Sequence, residues 1–481
     1  MSVMPALVQK EMLATMSLSC WSIIIASGRV PICRMREPPV KKVLYWCTRC
    51  NIPLLGRICG CGAEGCAIPL LRPYDARPAL RADRDLLVRL LRERHGTGRL
   101  PRVIVLNKTG GMDRKDLVIA NGGRFGWLSY DPVSKKYGLE LTFESLPFVM
   151  PTATRNVLEL GELQGACRDV GEGRRIGGKR YPAGRKVPDG GVILRWNGNG
   201  GVGMAAGGMV KVKEVGRVNS VEYPDPDWDT VITRNRQHLK NLERNAIRFI
   251  RQQAEGHRCV NISFSGGKDS TATLELARRA GYGEAFFVDT GMEFPETVEF
   301  VKSLGIRTIL RGRNFWREAE RRGPPRKDDR WCCEVLKLAP VKEWLLGKGE
   351  CITIQGNRWY ESFARAGLPA TARNPFNPSQ INISPIRNWR ALEVFLYIWW
   401  RNLPCNPLYE EGLERVGCWM CPAMLESEFC HVRTVHPDLH RAWLKFLGEW
   451  GQRNGIDREA ISTGAWRWKH LPPKMRGRER D

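Results

Sequence analysis

The segment ISFSGGKDSTATLELARRAG, residues 262–281, constrains the chain more than any other. An apolar run reads as a strand, two glycines permit a tight turn, and the residues from Asp269 or Ser270 onward carry apolar groups at helical spacing. Consecutive glycines let backbone N–H groups approach an anion, and a helix N-terminus adds unpaired donors and the positive end of its dipole. Ser265, Gly266, Gly267, Lys268, Asp269 and Ser270 therefore form a candidate phosphate site. Lys268 and Asp269, expected at the exposed mouth of the loop, are the catalytic candidates. The spacing is not the GxxxxGK[ST] of the Walker loop.

Downstream, the strand-like runs VNISFS, EAFFVDT, RTILRG and CITIQG alternate with helical spacers, which predicts an α/β domain with a doubly wound, mostly parallel sheet. A long basic helix over 235–253 precedes it. Upstream, five cysteines between glycines in YWCTRCNIPLLGRICGCGAEGC leave no room for an apolar core. Cys47, Cys50, Cys59 and Cys61, with Cys66 as an alternative to Cys61, read as a zinc ribbon; a redox dithiol is the other reading. The expected order is a disordered tail or mis-called start over 1–40, the ribbon over 41–70 and a small α+β domain over 71–160. A β-barrel-like module over 161–222, the sheet domain over 223–445 and a basic tail over 446–481 follow. Gly198, Gly200 and Gly203 match a dinucleotide fingerprint as text, but the residues after them alternate like a strand and predict a hairpin.

The phosphate loop resembles the SGGxDS signature of PP-loop ATP pyrophosphatases, and over roughly 255–430 the chain resembles the PAPS reductase family. The blocks that carry this are SFSGGKDST, FVDTGMEFPET, RWCCEVLKLAPVKEWL, TIQGNRWYESFARA, INISPIRNW and LPCNPLYEEGLERVGCWMCP, in that order. The resemblance implies that Asp289, Arg358, Ser362 and Arg365 line a nucleotide and anion pocket. It also implies that Cys332, Cys333, Cys418 and Cys421 hold a [4Fe-4S] cluster; zinc at the same cysteines and buried free thiols are the alternatives. The nucleotide is then ATP, APS or PAPS, with Mg2+ as an accompanying ion. Reductases of the family carry a nucleophilic cysteine in an ECGLH-type tail, whereas no cysteine follows Cys430 here, and Cys430 is the stand-in.

Residues 179–218 faintly resemble the PUA domain of RNA-modifying enzymes. A formal charge of +25, from 76 Lys and Arg against 51 Asp and Glu, favours a polyanionic partner such as tRNA. The first expectation is therefore a nucleotide-activating enzyme that moves sulfur onto RNA or a carrier, working with a sulfur-donor or thioredoxin-like protein. Assimilatory reduction of PAPS or APS to sulfite is the second, and a non-catalytic RNA-binding protein the third. Sixteen cysteines in 481 residues are too sparse for a secreted disulfide scaffold and suit a reducing cytoplasm. The apolar stretch 18–26 is too short to cross a bilayer, so no membrane partner is expected.

Overall fold

Four sheets organise the described residues, and each follows from short apolar runs punctuated by glycine, proline and asparagine. The structure, a computed structural model, describes residues 40–219, 221–455, 458–462 and 464–470. The expected tail over 1–40 lies outside the described residues except at its last position. Two compact units are separated between Leu239 and Lys240, inside the helix α1 (Trp228–Ala254) rather than at the proline-rich linker before it.

In the first unit, the strands Val43–Cys47, Ile52–Leu54 and Cys66–Pro69 form a three-stranded antiparallel sheet around the cysteine-rich segment. Five antiparallel strands between Ala76 and Leu141 pack on the amphipathic helix Arg81–His95, giving the α+β module. A third sheet has the order Arg180–Pro182, Met209–Arg217, Asn199–Ala206, Gly190–Trp196, Val157–Glu159. Its two edge strands are not laddered to each other, but the chain just beyond them meets in a bridge between Leu163 and Ala183, where the Gln164 N–H donates to the Pro182 carbonyl at 3.0 Å and the Gly184 N–H to the Glu162 carbonyl at 2.7 Å, drawing the two edges together. Val157–Glu159 runs parallel to Gly190–Trp196, which moves the start of this module ahead of residue 161. The glycine fingerprint is a hairpin: Trp196 pairs with Asn199 across Asn197 and Gly198, both at positive φ, as a two-residue turn of matching twist requires.

The second unit carries β1 (Cys259–Phe264), β2 (Ala285–Asp289), β3 (Thr308–Arg311), β4 (Cys351–Ile354), β5 (Thr371–Asn374) and β6 (Asn377–Ile383). Their order is β3-β2-β1-β4-β6-β5, parallel throughout except for the β5–β6 hairpin at the edge. β1 and β4 are largely buried on both faces, as parallel strands covered by helices are, and their apolar residues are interrupted by Asn261, Ser263 and Thr353. Register is pinned by a buried polar ladder in which Asn374 donates to Gln380, Gln380 to Thr353 and Thr353 to Asn261, at 2.7–2.9 Å. A satisfied network of this kind specifies one pairing, because slipping a strand leaves its polar groups without partners. Cys259 and Cys351, opposite each other on β1 and β4, form a disulfide, a pairing not anticipated for a chain read as residing in a reducing compartment.

The helices α2 (Lys268–Ala280), α3 (Pro295–Ser303), α4 (Phe315–Arg322), α5 (Ala339–Leu345), α6 (Ala391–Trp400), α7 (Glu426–Val435) and α8 (Pro437–Arg453) complete this unit. α6 is buried from Ala391 to Ile398, which explains its apolar composition all round; among the described residues no helix is long and apolar enough to cross a membrane. The basic tail expected from residue 446 is, as far as His470, part of the fold. α8 continues through Phe446 and Leu447 into an aromatic core with Trp443, and Trp466 joins the same core. Arg467 is buried there, donating to the Met424 carbonyl at 2.8 Å and to Glu426 at 2.6 Å. Replacing Arg467 by Ala leaves the Glu426 carboxylate buried without this counter-charge and should cost about 3–5 kcal/mol in urea unfolding. Parent-like stability would mean that 464–470 is not part of the core.

Candidate active site

The loop after β1 lies where the strand order reverses, between β2 on one side and β4 on the other, the position at which open parallel sheets bind ligands. Gly266 takes φ +76°, and a Cβ there would stand 2.6 Å from Thr297 Cγ2, so the turn requires glycine on both counts. Asn406 donates to the Gly266 carbonyl at 3.1 Å and to Thr297 at 3.0 Å, and the Lys268 N–H donates to the Tyr409 hydroxyl at 2.9 Å. Ser270 turns back into the loop, accepting from the Ser265 N–H at 3.2 Å and donating to the Gly267 carbonyl at 2.8 Å.

Lys268 and Asp269 do not stand at an exposed mouth. Lys268 is 5% exposed, and its ammonium lies 3.0 Å from Asp269. The other Asp269 oxygen accepts from Arg358 Nε at 2.6 Å, and Arg358 is 1% exposed. Burial alone would raise the Asp269 carboxyl, but Arg358, Lys268 and Arg365 outweigh it and hold it below its usual range. Gly356, just after β4, allows this approach, since a Cβ there would meet the Asp269 backbone at 2.8 Å.

A cavity of about 230 Å3 opens from this loop. Ser265, Gly267, Lys268, Asp269 and Ser270 line it together with Cys332, Cys333, Cys418 and Cys421 and with Arg330, Lys337, Arg365 and Arg415. Of the residues carried over by resemblance, Arg365 lines the cavity and pairs with Glu361. Arg358 lies behind it against Asp269. Ser362 caps a short helical turn, accepting from the Arg365 N–H at 3.3 Å, and so positions Arg365 rather than lining the cavity itself. Asp289 turns away from the cavity, accepting from the Gly291 N–H at 2.9 Å and pairing with Arg311 at 3.1 Å.

Cys332 and Cys333 sit on one helical turn, Trp331–Cys333, followed by a π-helical segment, Glu334–Leu338, that leads into α5. Pro340 has no N–H to give and crowds the carbonyl four residues back, which accounts for the wider turn beside the paired cysteines. Arg330 reaches between the two cysteine pairs, 3.5 Å from Cys333 Sγ and 3.8 Å from Cys421 Sγ. Cys418 faces Glu293 at 3.7 Å and Thr290 at 3.6 Å, and burial, reinforced by the Glu293 carboxylate, pushes its thiol up to about 12. Cys332 is raised as well, by its hydrogen bond with Cys333 and by burial. The four thiols thus line one cavity, and among the described residues no three of them stand within 4.8 Å of one another as the Cys47 set does. Cys430 is not among the cavity residues; its thiol lies 3.9 Å from Glu426 on α7.

In the first unit, the Cys47, Cys50, Cys59 and Cys61 sulfurs all lie within 4.8 Å of one another, and Cys66 is exposed outside the set. Tetrahedral thiolates on one zinc stand roughly 3.8 Å apart, from Zn–S bonds of about 2.3 Å. The observed Cys47–Cys61 and Cys50–Cys59 separations are 3.7 and 4.0 Å, so the donor set fits a metal.

Residues 259–424 match the phosphoadenosine phosphosulfate reductase domain. The adenosine 5'-phosphosulfate reductase of Streptomyces coelicolor is 32% identical over 196 residues, covering 38% of this chain and 80% of that protein. The chain belongs to the phosphoadenosine phosphosulfate reductase domain family. Two uncharacterized proteins of Methanocaldococcus jannaschii extend the likeness upstream. One is 33% identical over 78% of this chain and 90% of its own length, and the other 32% identical over 89% and 96%.

Sequence reasoning missed Arg330, Lys337, Arg415 and Tyr409 because each lies in a block whose neighbours were read for other reasons. A cation two residues before the paired cysteines and another four after them were the available signals. Gly266→Ala should destabilise the second unit by about 1–3 kcal/mol in urea unfolding, because it combines positive φ with a steric clash. Parent-like stability would show that the loop does not take this conformation.

Proposed function

We propose that this chain is an adenine-nucleotide enzyme of sulfur metabolism, with nucleotide phosphates on the 265–270 loop and the reacting group directed toward the cysteines of the same cavity. The observation that carries this is the single cavity lined by both sets of residues. The buried Lys268–Asp269–Arg358 cluster holds the loop, and Arg330, Lys337, Arg365 and Arg415 supply positive charge along the path of an anion. Family membership favours a sulfonucleotide, APS or PAPS, as the nucleotide. Cys332, Cys333, Cys418 and Cys421 are the residues that would hold an iron-sulfur cluster, which would supply electron transfer or polarisation beside the bound anion. Zinc is the reading for Cys47, Cys50, Cys59 and Cys61.

A second reading, sulfur transfer to RNA with ATP as the activating nucleotide, draws on the excess of basic residues and on the modules upstream. Product analysis after anaerobic incubation with APS, PAPS or ATP, each with and without bulk tRNA, separates the two. Sulfite from APS or PAPS without RNA supports the first; ATP consumption that requires tRNA supports the second. Lys268→Ala and Asp269→Ala should abolish turnover of whichever nucleotide is used. Parent-like rates in both variants would remove the loop from the active site.

Anaerobically purified protein should contain about four irons and one zinc per chain, and Cys418→Ser should lose the iron while keeping the zinc. Iron-free protein with full turnover would refute the cluster assignment.

A further inference from the structure

The long basic helix α1 takes no part in the cavity, yet its exposed face is unusual. Lys240, Arg244 and Arg248, all in the second unit, are exposed and follow one another at intervals of four residues. Arg251 continues the row and is held by the Ala280 and Arg279 carbonyls, both at 3.2 Å. Arg244 donates to Asn241 at 2.8 Å, and among the described residues none of the four cations forms an ion pair with a carboxylate. The one acid on this stretch, Glu243, is buried and faces Arg279 and Arg401.

Like charges four residues apart disfavour a helix unless something neutralises them. The helix dipole rewards cations in the last turn, which covers Arg251 but not Lys240 or Arg244. Four residues of helix advance about 6 Å, comparable to the distance between successive phosphates on a polynucleotide strand. A bilayer is a poor occupant, since Ala246, Ile250 and Ala254, the apolar face that would have to insert, are already buried.

We propose that Lys240, Arg244 and Arg248 form a track for the sugar–phosphate backbone of a polynucleotide. This goes beyond both readings of the cavity, since it holds whichever nucleotide is turned over there.

The test is fluorescence anisotropy of the full chain with 20-nucleotide RNA and DNA single strands across a salt series. The double variant R244Q/R248Q should bind roughly tenfold more weakly at about 0.1 M salt, and its slope of log affinity against log salt should fall by about 1.4. K302Q/R307Q, which removes the same charge from exposed positions elsewhere in the unit, should retain the parent's slope. Equal affinity for RNA and DNA supports a backbone track, and a preference for either identifies the source of the strand. The proposal is overturned if the parent binds neither strand, if both double variants lose affinity equally, or if polyglutamate or anionic vesicles of matched charge hinder RNA binding no less than unlabelled RNA does. Binding of APS, PAPS or ATP by R244Q/R248Q, measured without RNA and expected to equal the parent's, keeps failure of the track distinct from failure of the cavity assignment.

Discussion

The second unit depends on the Asp269 carboxylate, which sits between Lys268 from its own loop and Arg358 from the segment after β4. Two separate strand ends are thereby tied together by charge at the base of the cavity. Removing water from three charged groups is costly, and their mutual attraction offsets that cost only with close, well-oriented contacts. Gly356 supplies the necessary closeness and Tyr409 the hydrogen bond that fixes the backbone of Lys268. Rigidity at this point holds the loop in one conformation, with the Ser265 and Ser270 hydroxyls satisfying each other and the Lys268 side chain held by Asp269.

The parts of this arrangement legible in the sequence are those set by local chemistry. Strands β1 to β4 announce themselves as apolar runs of the length that a parallel sheet needs, and the double glycine after β1 marks the loop. The grouping of Cys47, Cys50, Cys59 and Cys61 was legible for a similar reason, since their close spacing lets the chain bring four thiols together. Long-range placement was not legible. Nothing local distinguishes Arg365, which reaches the cavity, from Arg358, which is buried behind it, or reveals that Asp289 is held by Arg311. The stretch from residue 446 looked like a tail because its charges are plain in the sequence, whereas the pairing of Arg467 with Glu426 and the docking of Trp466 depend on elements far away.

Two electrostatic designs coexist in the second unit. Along the cavity, cations are balanced by nearby carboxylates, as Arg365 is by Glu361 and Lys337 by Glu293. On the exposed face of α1, Lys240, Arg244 and Arg248 form no ion pair with a carboxylate among the described residues. The first arrangement tunes a small enclosed volume, and the second acts on a partner through solvent, where salt screens it.

The aromatic core behind the cysteines has an optical consequence. Trp331, Trp419, Trp443 and Trp466 belong to it, with Trp316 and Trp450 packed against it, and Trp331 and Trp419 are direct chain neighbours of Cys332 and Cys418. A coloured metal–sulfur group at those thiols would take up excitation energy from these indoles. Intrinsic emission would then brighten as the group is lost, so that the protein carries its own gauge of how fully these cysteines are loaded.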